Sequence, residues 1–400
     1  MEMYMTLLVE NGRIYINGSL MKKSVLIEDG KIKSISSSRT DATDEVINAK
    51  GMIILPGFID PHVHFREPGM THKEDFRSGS FAAATGGVTC FIDMPNTKPP
   101  TLTTKLLDEK RKYASEKSIV DFGFHFGSSD GNLEEIKNAK RIASVKIFMD
   151  ASTGNMLIRD ENIIRNVINH SSFCSFHAEE ANAGKATRFA EDLNKKIYLC
   201  HVSSENELEY VKKSRKNVFS EVTPHHLFLT ENDQNKFVRM KPPLKTDKDR
   251  ASLWKAINEG FIDTIGSDHA PHTAEEKRTS EVYGVPGVET RVPLMLDAVN
   301  KGRITLEKIV EMMCENPARI FRLENKGFIK EGMDADMVII DMKLRKKIRN
   351  DELFTKCGWS PFEGFEIAGW PVKTIARGNV IFESGEVYDK MKGMEVEFYG

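Results

Sequence analysis

The sequence contains few cysteines, and none of them belongs to a C-x-x-C pair. The five that occur are far apart along the chain: Cys90, Cys174, Cys200, Cys314 and Cys357. An odd and widely spaced set argues against a disulfide framework and against a cysteine-based zinc site. Such cysteine usage is typical of a reducing compartment, so we expect a cytoplasmic protein.

A surplus of one charge and a long apolar run are also missing. The 57 Lys and Arg residues nearly balance the 59 Asp and Glu residues, so the net charge is −2 with His neutral. This balance argues against nucleic-acid binding through a basic surplus. No segment approaches the roughly 18 apolar residues that cross a bilayer, and the first residues do not have the pattern of a signal peptide. We therefore expect neither a nucleic-acid nor a membrane partner.

Short β-type runs with turn pairs occupy both ends of the chain. The turn pairs lie between alternating apolar residues, the usual signal of hairpins. Three are found near the N-terminus and two near the C-terminus: Asn11-Gly12, Asn17-Gly18, Asp29-Gly30, Gly378-Asn379 and Ser384-Gly385. We therefore predict that residues 1–55 and 326–400 together build one small β-sandwich domain.

The central part, residues 56–325, alternates between apolar, β-branched runs and helical patterns. The eight runs cover residues 58–64, 88–94, 120–126, 144–150, 172–178, 196–202, 217–223 and 262–268. A Thr246-x-x-Asp249 capping box begins one of the helices, and Asn316-Pro317 is expected to end the last one. Eight strands alternating with helices predict an α/β fold, a (β/α)8 TIM barrel. Active-site residues of that fold lie at the carboxyl ends of its strands.

Side chains that bind metals stand at several of these strand ends. His62 and His64 are two residues apart, so a strand places both on one face. His177, His201 and Asp268 lie at or near the ends of three later runs. Imidazole and carboxylate groups suit Zn²⁺ or a similar divalent ion. Each residue alone could be a buried polar group, but the set at one mouth of a barrel predicts a metal site.

Lys146, within the fourth strand, is a sixth candidate. A bare ammonium cannot bind a metal, so this lysine is either deprotonated and modified or a structural lysine in a salt bridge. Six candidates exceed one tetrahedral ion, which favours two ions. Such a site acidifies a bound water and polarises a carbonyl, and Asp268 could move a proton from nucleophile to leaving group. The residues predict metal-assisted hydrolysis, or its reverse, at an amide-like carbon.

At this point the sequence resembles a known family over nearly its whole length. The motifs PGFIDPHVHFREPG, NPARIF and SPFEGFEIAGWPVKTIARGNVIFE are similar to those of the cyclic amidohydrolase branch of the amidohydrolase superfamily, and within it to class I dihydroorotases. The resemblance implies a distorted (β/α)8 barrel with a β-sandwich from both termini. It also implies the reversible, metal-dependent cyclisation of N-carbamoyl-L-aspartate to (S)-dihydroorotate in de novo pyrimidine (UMP) biosynthesis.

The resemblance further implies two zinc ions per subunit. His62, His64 and Asp268 would hold the first ion, and His177 and His201 the second. A carboxylated lysine and a hydroxide bridge the ions in some relatives, and an aspartate takes the place of that lysine in others. Lys146-Ile147-Phe148 matches the lysine type, and the 24-residue separation of His177 from His201 agrees with it. Asp150 on the same strand face is the competing bridge.

The substrate side separates this family from relatives that act on neutral rings. Dihydroorotate carries a free carboxylate, so a cation must receive it, and Arg66 lies on the strand face of His64. By resemblance Arg66, Asn96 and His272 bind that carboxylate. A salt bridge of Arg66 to Glu67 or Glu74, or a plain turn role for Asn96, are the alternatives. Three further substrate-binding candidates come from two other segments: Lys241, Tyr283 and Gly284.

Two rival functions remain from the sequence. One is a hydantoinase or allantoinase, which acts on a neutral ring, and the other is an inactive family member that serves as a scaffold. The retained ligand candidates argue against the scaffold. By resemblance we also expect a homo-oligomer, with aspartate transcarbamoylase as a further partner.

Overall fold

The computed structural model describes residues 6–37, 43–152, 154 and 156–399. Within these residues the chain forms three sheets of four, eight and seven strands. Seven strands precede the barrel: β1 Thr6–Glu10, β2 Arg13–Ile16, β3 Ser19–Lys22, β4 Ser24–Glu28, β5 Lys31–Ser36, β6 Glu45–Asn48 and β7 Ile53–Pro56. The barrel strands are β8 Phe58–Val63, β9 Val88–Asp93, β10 Asp121–Gly127, β11 Ser144–Phe148, β12 Cys174–His177, β13 Ile197–Leu199, β14 Val218–Val222 and β15 Thr264–Ile265. Four strands follow it: β16 Met337–Lys347, β17 Glu366–Ala376, β18 Asn379–Glu383 and β19 Glu386–Val387.

The eight-stranded sheet is a parallel barrel in which each strand pairs with the next one along the chain, from β8 to β15. Its two edges meet just beyond the strands. Val63 bridges to His269, and the amide of His64 donates to the carbonyl of His269 at 2.8 Å. The barrel is therefore nearly closed, and the predicted fold class is confirmed.

Helices alternate with the barrel strands and surround them. They are α1 Phe76–Thr85, α2 Thr104–Lys117, α3 Leu133–Asn138, α4 Glu161–His170, α5 Ala181–Asp192, α6 Glu205–Lys213, α7 Pro224–Phe228, α8 Asp247–Glu259, α9 Ala274–Thr279, α10 Val288–Asn300, α11 Leu306–Val310 and α12 Asn316–Ile320. The predicted box of Thr246 and Asp249 caps α8, and Gly260 ends that helix at φ 79°. In the part of the chain that the structure describes, no helix has the length and apolar character to cross a membrane.

Strands from both ends of the chain build the sandwich. The four-stranded sheet has the order β5-β4-β1-β6, and the seven-stranded sheet has the order β19-β18-β17-β16-β7-β2-β3. The N-terminal β7 pairs antiparallel with the C-terminal β16. Buried aliphatic residues of both sheets, such as Val9, Ile27, Ile54 and Met337, pack between them. The composite sandwich is thus as predicted, whereas the domain boundaries at residues 55 and 326 stay a prediction.

One predicted hairpin is wrong. The turn pairs at residues 17–18 and 29–30 do close hairpins, joining β2 to β3 and β4 to β5. At Asn11-Gly12, by contrast, the chain leaves β1 in one sheet and enters β2 in the other. β1 has its pairing partners in β4 and β6, so this turn carries the chain between packed sheets and does not reverse it within one.

The last helix also continues past its predicted end at Asn316-Pro317. A π-helical turn, Glu311–Glu315, joins α11 to α12, so Pro317 falls in the first turn of α12. Proline is tolerated at such a position, whereas inside an unbroken α-helix its ring clashes with the carbonyl four residues earlier. The wider turn therefore lets one helical segment pass through a proline.

Aromatic packing closes the lower part of the barrel. Phe321, which follows α12, packs against Tyr198, Phe173 and His125, with ring centroids 4.9, 5.8 and 5.6 Å away. All four side chains are buried. These side chains fill the barrel interior around Phe321, whereas the polar candidates lie at the carboxyl ends of the strands.

Candidate metal centre and substrate cleft

His62 and His64 stand at the carboxyl end of β8 with ring centroids 5.3 Å apart. Nδ1 of His62 donates to Oε1 of Glu221 at 2.7 Å, and Nδ1 of His64 donates to Oδ1 of Asn96 at 2.6 Å. The two Nε2 atoms lie 3.2 and 3.1 Å from Oδ1 of Asp268. Because a hydrogen bond holds each Nδ1, both Nε2 atoms and the carboxylate oxygen converge on one point, as in metal sites.

The charges around this point favour a cation. Burial alone would lower the pKa of His62, but the carboxylates of Glu221 and Asp268 outweigh burial and raise that pKa well above its usual range. Burial would raise the pKa of Asp268, yet the imidazoles of His62 and His64 hold it well below its usual range. Burial lowers the pKa of His64 to about 3. The cluster thus keeps Asp268 ionised and His64 neutral, the forms that bind metals, and favours a proton on His62 that a bound cation would displace.

A second pair of imidazoles lies beside the first. His177 ends β12 and His201 follows β13, and Nδ1 of His177 is 2.8 Å from Nε2 of His201. The ring of His201 is 5.5 Å from that of His62. Burial and then the charge of His177 lower the pKa of His201 well below its usual range, so its imidazole is neutral. Two ring nitrogens that face each other at this distance form a second candidate for metal binding.

Lys146 reaches the same region from β11, between the two groups of ligand candidates. It is 1% exposed, and its Nζ contacts Sγ of Cys200 at 2.8 Å. Asp150 is directed elsewhere, since its carboxylate accepts from the amide of Glu179 at 2.7 Å and from the side chain of Asn182 at 2.8 Å. Asp150 therefore supports the start of α5, whereas Lys146 lines the cleft together with the histidines.

Arg66 provides a fully buried cation at the wall of the cleft. Its Nε donates to the carbonyl of Pro271 at 3.1 Å, and its Nη2 lies 3.2 Å from Nε2 of His272. The proposed salt-bridge alternatives are not formed, because Glu67 pairs with Lys117 and Glu74 contacts a different set of residues. Burial lowers the pKa of Arg66, to about 10, and leaves it a cation near neutral pH.

Three candidates from the outer loops complete the wall. Nζ of Lys241 lies 4.8 Å from the ring centroid of Tyr283. Gly284 has φ 128°, and a Cβ atom there would come within 2.5 Å of the carbonyl oxygen of Ala270. Only glycine fits this backbone, so the Tyr283–Gly284 segment can run close beside the cleft.

The structure brings nearly all the predicted site residues together around one cleft at the mouth of the barrel. The predicted residues that line it are His62, His64, Arg66, Asn96, Lys146, His177, His201, Lys241, Asp268, Tyr283 and Gly284. His272 is the exception, since it lies behind Arg66 and is 1% exposed. Phe148, Ser152 and Ala270 also line the cleft and were not expected.

Three of the cleft residues have left-handed backbones. The φ angles are 63° at Arg66, 38° at His201 and 46° at Asp268. Such conformations cost non-glycine residues about 1–3 kcal/mol each and cluster at functional sites. Here each one follows a barrel strand, where a sharp change of direction turns the side chain toward the mouth.

Sequence reasoning missed Glu221, the carboxylate that organises the centre. It is buried at the end region of β14, where it accepts from Nδ1 of His62, from the hydroxyl of Tyr198 at 2.8 Å and from the amide of His201 at 3.1 Å. The available signal was a glutamate inside the apolar run VFSEV. A charged residue in a buried strand needs partners, and here the partners are metal-ligand candidates.

Comparison with known proteins agrees with this architecture. Residues 53–381 match the Amidohydrolase family. The chain is 40% identical to the dihydroorotase of Pyrococcus furiosus, over 97% of this chain and 95% of that protein, and 38% identical to the dihydroorotase of Methanosarcina mazei, over 94% and 93%. Among solved structures, L-hydantoinase (dihydropyrimidinase) from Arthrobacter aurescens superposes with a TM-score of 0.94 at 29% identity, over 99% of this chain and all of that one. Dihydropyrimidinase from Brevibacillus agri gives 0.88 at 27% identity, over 96% of each chain.

Proposed function

The chain belongs to the amidohydrolase family, and from that premise we propose that it is a hydrolase of the dihydroorotase type. It interconverts dihydroorotate and N-carbamoyl-L-aspartate, a step of de novo pyrimidine synthesis. Relatives 37–40% identical over most of the chain are dihydroorotases, which supports this reaction. The observation that carries the proposal is Arg66, a buried guanidinium in the wall of a cleft whose floor is formed by histidines and Asp268.

The side chains present fit two divalent cations. His62, His64 and Asp268 would hold one, and the convergence of their three atoms supports this assignment. His177 and His201 would hold the other, and Lys146, once carboxylated, would supply a ligand to both. Imidazole and carboxylate donors suit zinc. Bound metal supplies an electrophile for the substrate carbonyl and lowers the pKa of the attacking water.

Asp268 moves the proton of the reaction. Its low pKa keeps the carboxylate ionised, so it can accept the proton of the attacking water as the new carbon–oxygen bond forms. When the bond between the carbonyl carbon and the ring nitrogen breaks, Asp268 returns that proton to the nitrogen. In the direction of ring closure the same carboxylate takes the proton from the carbamoyl nitrogen, and water departs.

Arg66 orients the substrate through its carboxylate. A guanidinium forms paired hydrogen bonds with a carboxylate, and burial strengthens them. Asn96 holds Nδ1 of His64 through Oδ1 and also lines the cleft, so it links the carboxylate side to the metal side. Lys241, Tyr283 and Gly284 complete the binding wall in this proposal, and His272 contributes from behind it through Arg66.

A second candidate is a hydantoinase, which the TM-score of 0.94 to L-hydantoinase favours. The two functions differ in the charge of the substrate. Replacement of Arg66 by methionine separates them, because it removes the cation and keeps an extended side chain. We expect the KM for dihydroorotate to rise about tenfold or more, the effect of losing one hydrogen bond between charged groups, while turnover of a neutral ring is unchanged.

The decisive assay uses metal-replete protein with dihydroorotate and N-carbamoyl-L-aspartate, and with hydantoin and allantoin as neutral controls. Turnover confined to the first two compounds is the expected result. Hydrolysis of a neutral ring without turnover of dihydroorotate would establish the hydantoinase function. No turnover of any compound would favour an inactive scaffold, and elemental analysis of the same sample measures whether zinc is present at two ions per chain.

We also propose a cytoplasmic homo-oligomer. All five cysteines are unpaired, which agrees with a reducing compartment. Light scattering of the purified protein, alone and with aspartate transcarbamoylase, tests for the oligomer and for that partner.

A further inference from the structure

A buried lysine, Lys73, lies behind the carboxylate-binding wall. It is 7% exposed and follows β8 in the loop that also carries Arg66. Its Nζ is 3.0 Å from Nδ1 of His272 and 3.0 Å from Oε1 of Glu276. The other carboxylate oxygen of Glu276 accepts from the amide of Thr273 in the capping box of α9, which holds this partner in place.

Lys73 determines which nitrogen of His272 carries the proton. Burial and then the charges of Arg66 and Lys73 lower the pKa of His272 to about 2, so its imidazole is neutral and has one N–H. An ammonium only donates, and its contact therefore makes Nδ1 the acceptor. The proton then resides on Nε2, which lies 3.0 Å from the carbonyl oxygen of Tyr283 and can donate to it.

This tautomer has a consequence for Arg66. Nη2 of Arg66 lies 3.2 Å from Nε2 of His272, and a protonated Nε2 cannot accept from it. The Nε2–H form makes two hydrogen bonds: its Nδ1 accepts from Lys73 and its Nε2 donates to the carbonyl of Tyr283. The Nδ1–H form makes only one hydrogen bond with these three residues, in which its Nε2 accepts from Arg66. With the first form, the Nη2 donors of Arg66 are not consumed by His272 and can bind a carboxylate in the cleft.

We propose that Lys73 is a positioning residue for the substrate carboxylate: it holds His272 in the Nε2–H tautomer, which keeps the guanidinium of Arg66 available and anchors the Tyr283–Gly284 segment. This inference rests on the proposed dihydroorotase function. Without Lys73, the nearby carboxylate of Glu276, 3.7 Å from Nδ1, becomes the partner of His272. The proton then moves to Nδ1, and Nε2 accepts from Arg66.

The test replaces Lys73 by methionine in the full-length, metal-replete protein. We expect the KM for dihydroorotate to rise about ten- to hundredfold, the effect of one weakened charge-assisted hydrogen bond, with kcat within about threefold because no group at the reacting atoms changes. ¹⁵N NMR of histidine-labelled protein should show His272 change from Nε2–H to Nδ1–H, a readout that does not need turnover. Dihydrouracil, the same ring without the carboxylate, should bind equally well to both proteins as a competitive inhibitor.

Two further variants separate positioning from a general structural effect. Lys373→Met removes a partly buried lysine that pairs with Glu383 at 2.7 Å in the sandwich, and it should leave the KM and the His272 spectrum unchanged. Lys73→Arg should restore both. An unaltered tautomer in Lys73→Met, an imidazolium signal there, or a fall in kcat with no change in KM would overturn the proposal. Absence of dihydroorotate turnover in the unmodified protein would instead refute the proposed function, and the NMR result would still decide the tautomer.

Discussion

Among single residues, Asp268 has the most demanding position in the cleft. One of its oxygens lies between Nε2 of His62 and Nε2 of His64, and its backbone is left-handed. The low pKa of its carboxyl group keeps it ionised near neutral pH, so it has no proton of its own to donate before it accepts one. A carboxylate that both binds a metal and carries a proton must keep its charge and its geometry, which asparagine can only partly reproduce.

Replacement of Asp268 by asparagine should therefore abolish turnover while most of the metal stays bound. We expect kcat to fall at least about a thousandfold, within the range attributed to general acid–base catalysis. The kcat of the purified variant tests the loss of turnover, and elemental analysis of the same sample tests whether the metal stays bound. Retained activity would contradict the proton-transfer role of Asp268.

Asp150→Asn is the matched control for that experiment. Asp150 is the alternative to Lys146 as the residue shared by the two proposed ions. Its carboxylate, however, accepts hydrogen bonds from the amide of Glu179 and the side chain of Asn182. We expect the kcat of this variant to stay within about threefold of the unmodified protein, because asparagine keeps one of the two hydrogen bonds through its single oxygen and Asp150 does not line the cleft. A loss of metal in Asp150→Asn would reinstate the aspartate bridge in place of Lys146.

At the scale of elements, the junction of β14 and β15 shows how close packing supports the centre. Gly266 follows β15, and a Cβ atom there would lie 2.1 Å from Oε2 of Glu221 and 3.2 Å from Cβ of His62. Its φ is not left-handed, so glycine is required here by space. The absence of a side chain lets the carboxylate of Glu221 reach both Tyr198 and His62.

Gly266→Ala should consequently displace Glu221 and weaken the proposed metal centre. Inserting one methyl group into a packed interior costs about 1–3 kcal/mol, and loss of a partner that orients a metal ligand lowers metal affinity about 10–100-fold. Urea denaturation and zinc titration measure these two effects. Gly131→Ala is the control, since a Cβ atom there meets no other atom within 4 Å. Equal zinc affinity in the two variants would refute the role assigned to this contact.

At the scale of the whole molecule, a buried charge cluster joins the barrel to the sandwich. Lys326 is 4% exposed and lies 2.5, 2.8 and 2.7 Å from carboxylate oxygens of Asp121, Asp334 and Asp336. Asp121 begins β10 of the barrel, while the other two aspartates precede β16 of the sandwich. Burial alone would lower the pKa of Lys326, but the three carboxylates raise it well above its usual range. The cluster needs this cation, because three buried carboxylates would otherwise repel one another.

Lys326→Met should destabilise the protein by about 3–5 kcal/mol, the usual effect of removing one partner of a buried ion pair. Lys31→Met is the control, because Lys31 binds Asp334 at 2.6 Å from a side chain that is 46% exposed. Exposed pairs contribute about 0–1 kcal/mol. Urea denaturation of both variants measures this difference in the free energy of unfolding. Similar unfolding midpoints for the two variants would mean that the junction does not depend on Lys326.

Much of this molecule could be predicted from local sequence patterns. Eight apolar runs alternating with helices are sufficient to predict the barrel, because parallel strands joined by helices have few arrangements that bury both faces. The barrel then places His62, His177, His201 and Asp268 at one mouth, since the carboxyl ends of all its strands meet there. The roles of these residues in metal binding and catalysis stay predictions.

Other features depend on residues that are distant in sequence, and only the tertiary structure decided them. Glu221 meets His62 from 159 residues away, and Lys73 meets His272 from 199 residues away. The same kind of turn pair either closes a hairpin or, at residues 11–12, changes sheets, according to where the partner strands lie. Local periodicity determines which face of an element is buried. Which side chains then share hydrogen bonds depends on how the elements pack, and no short stretch of sequence contains that information.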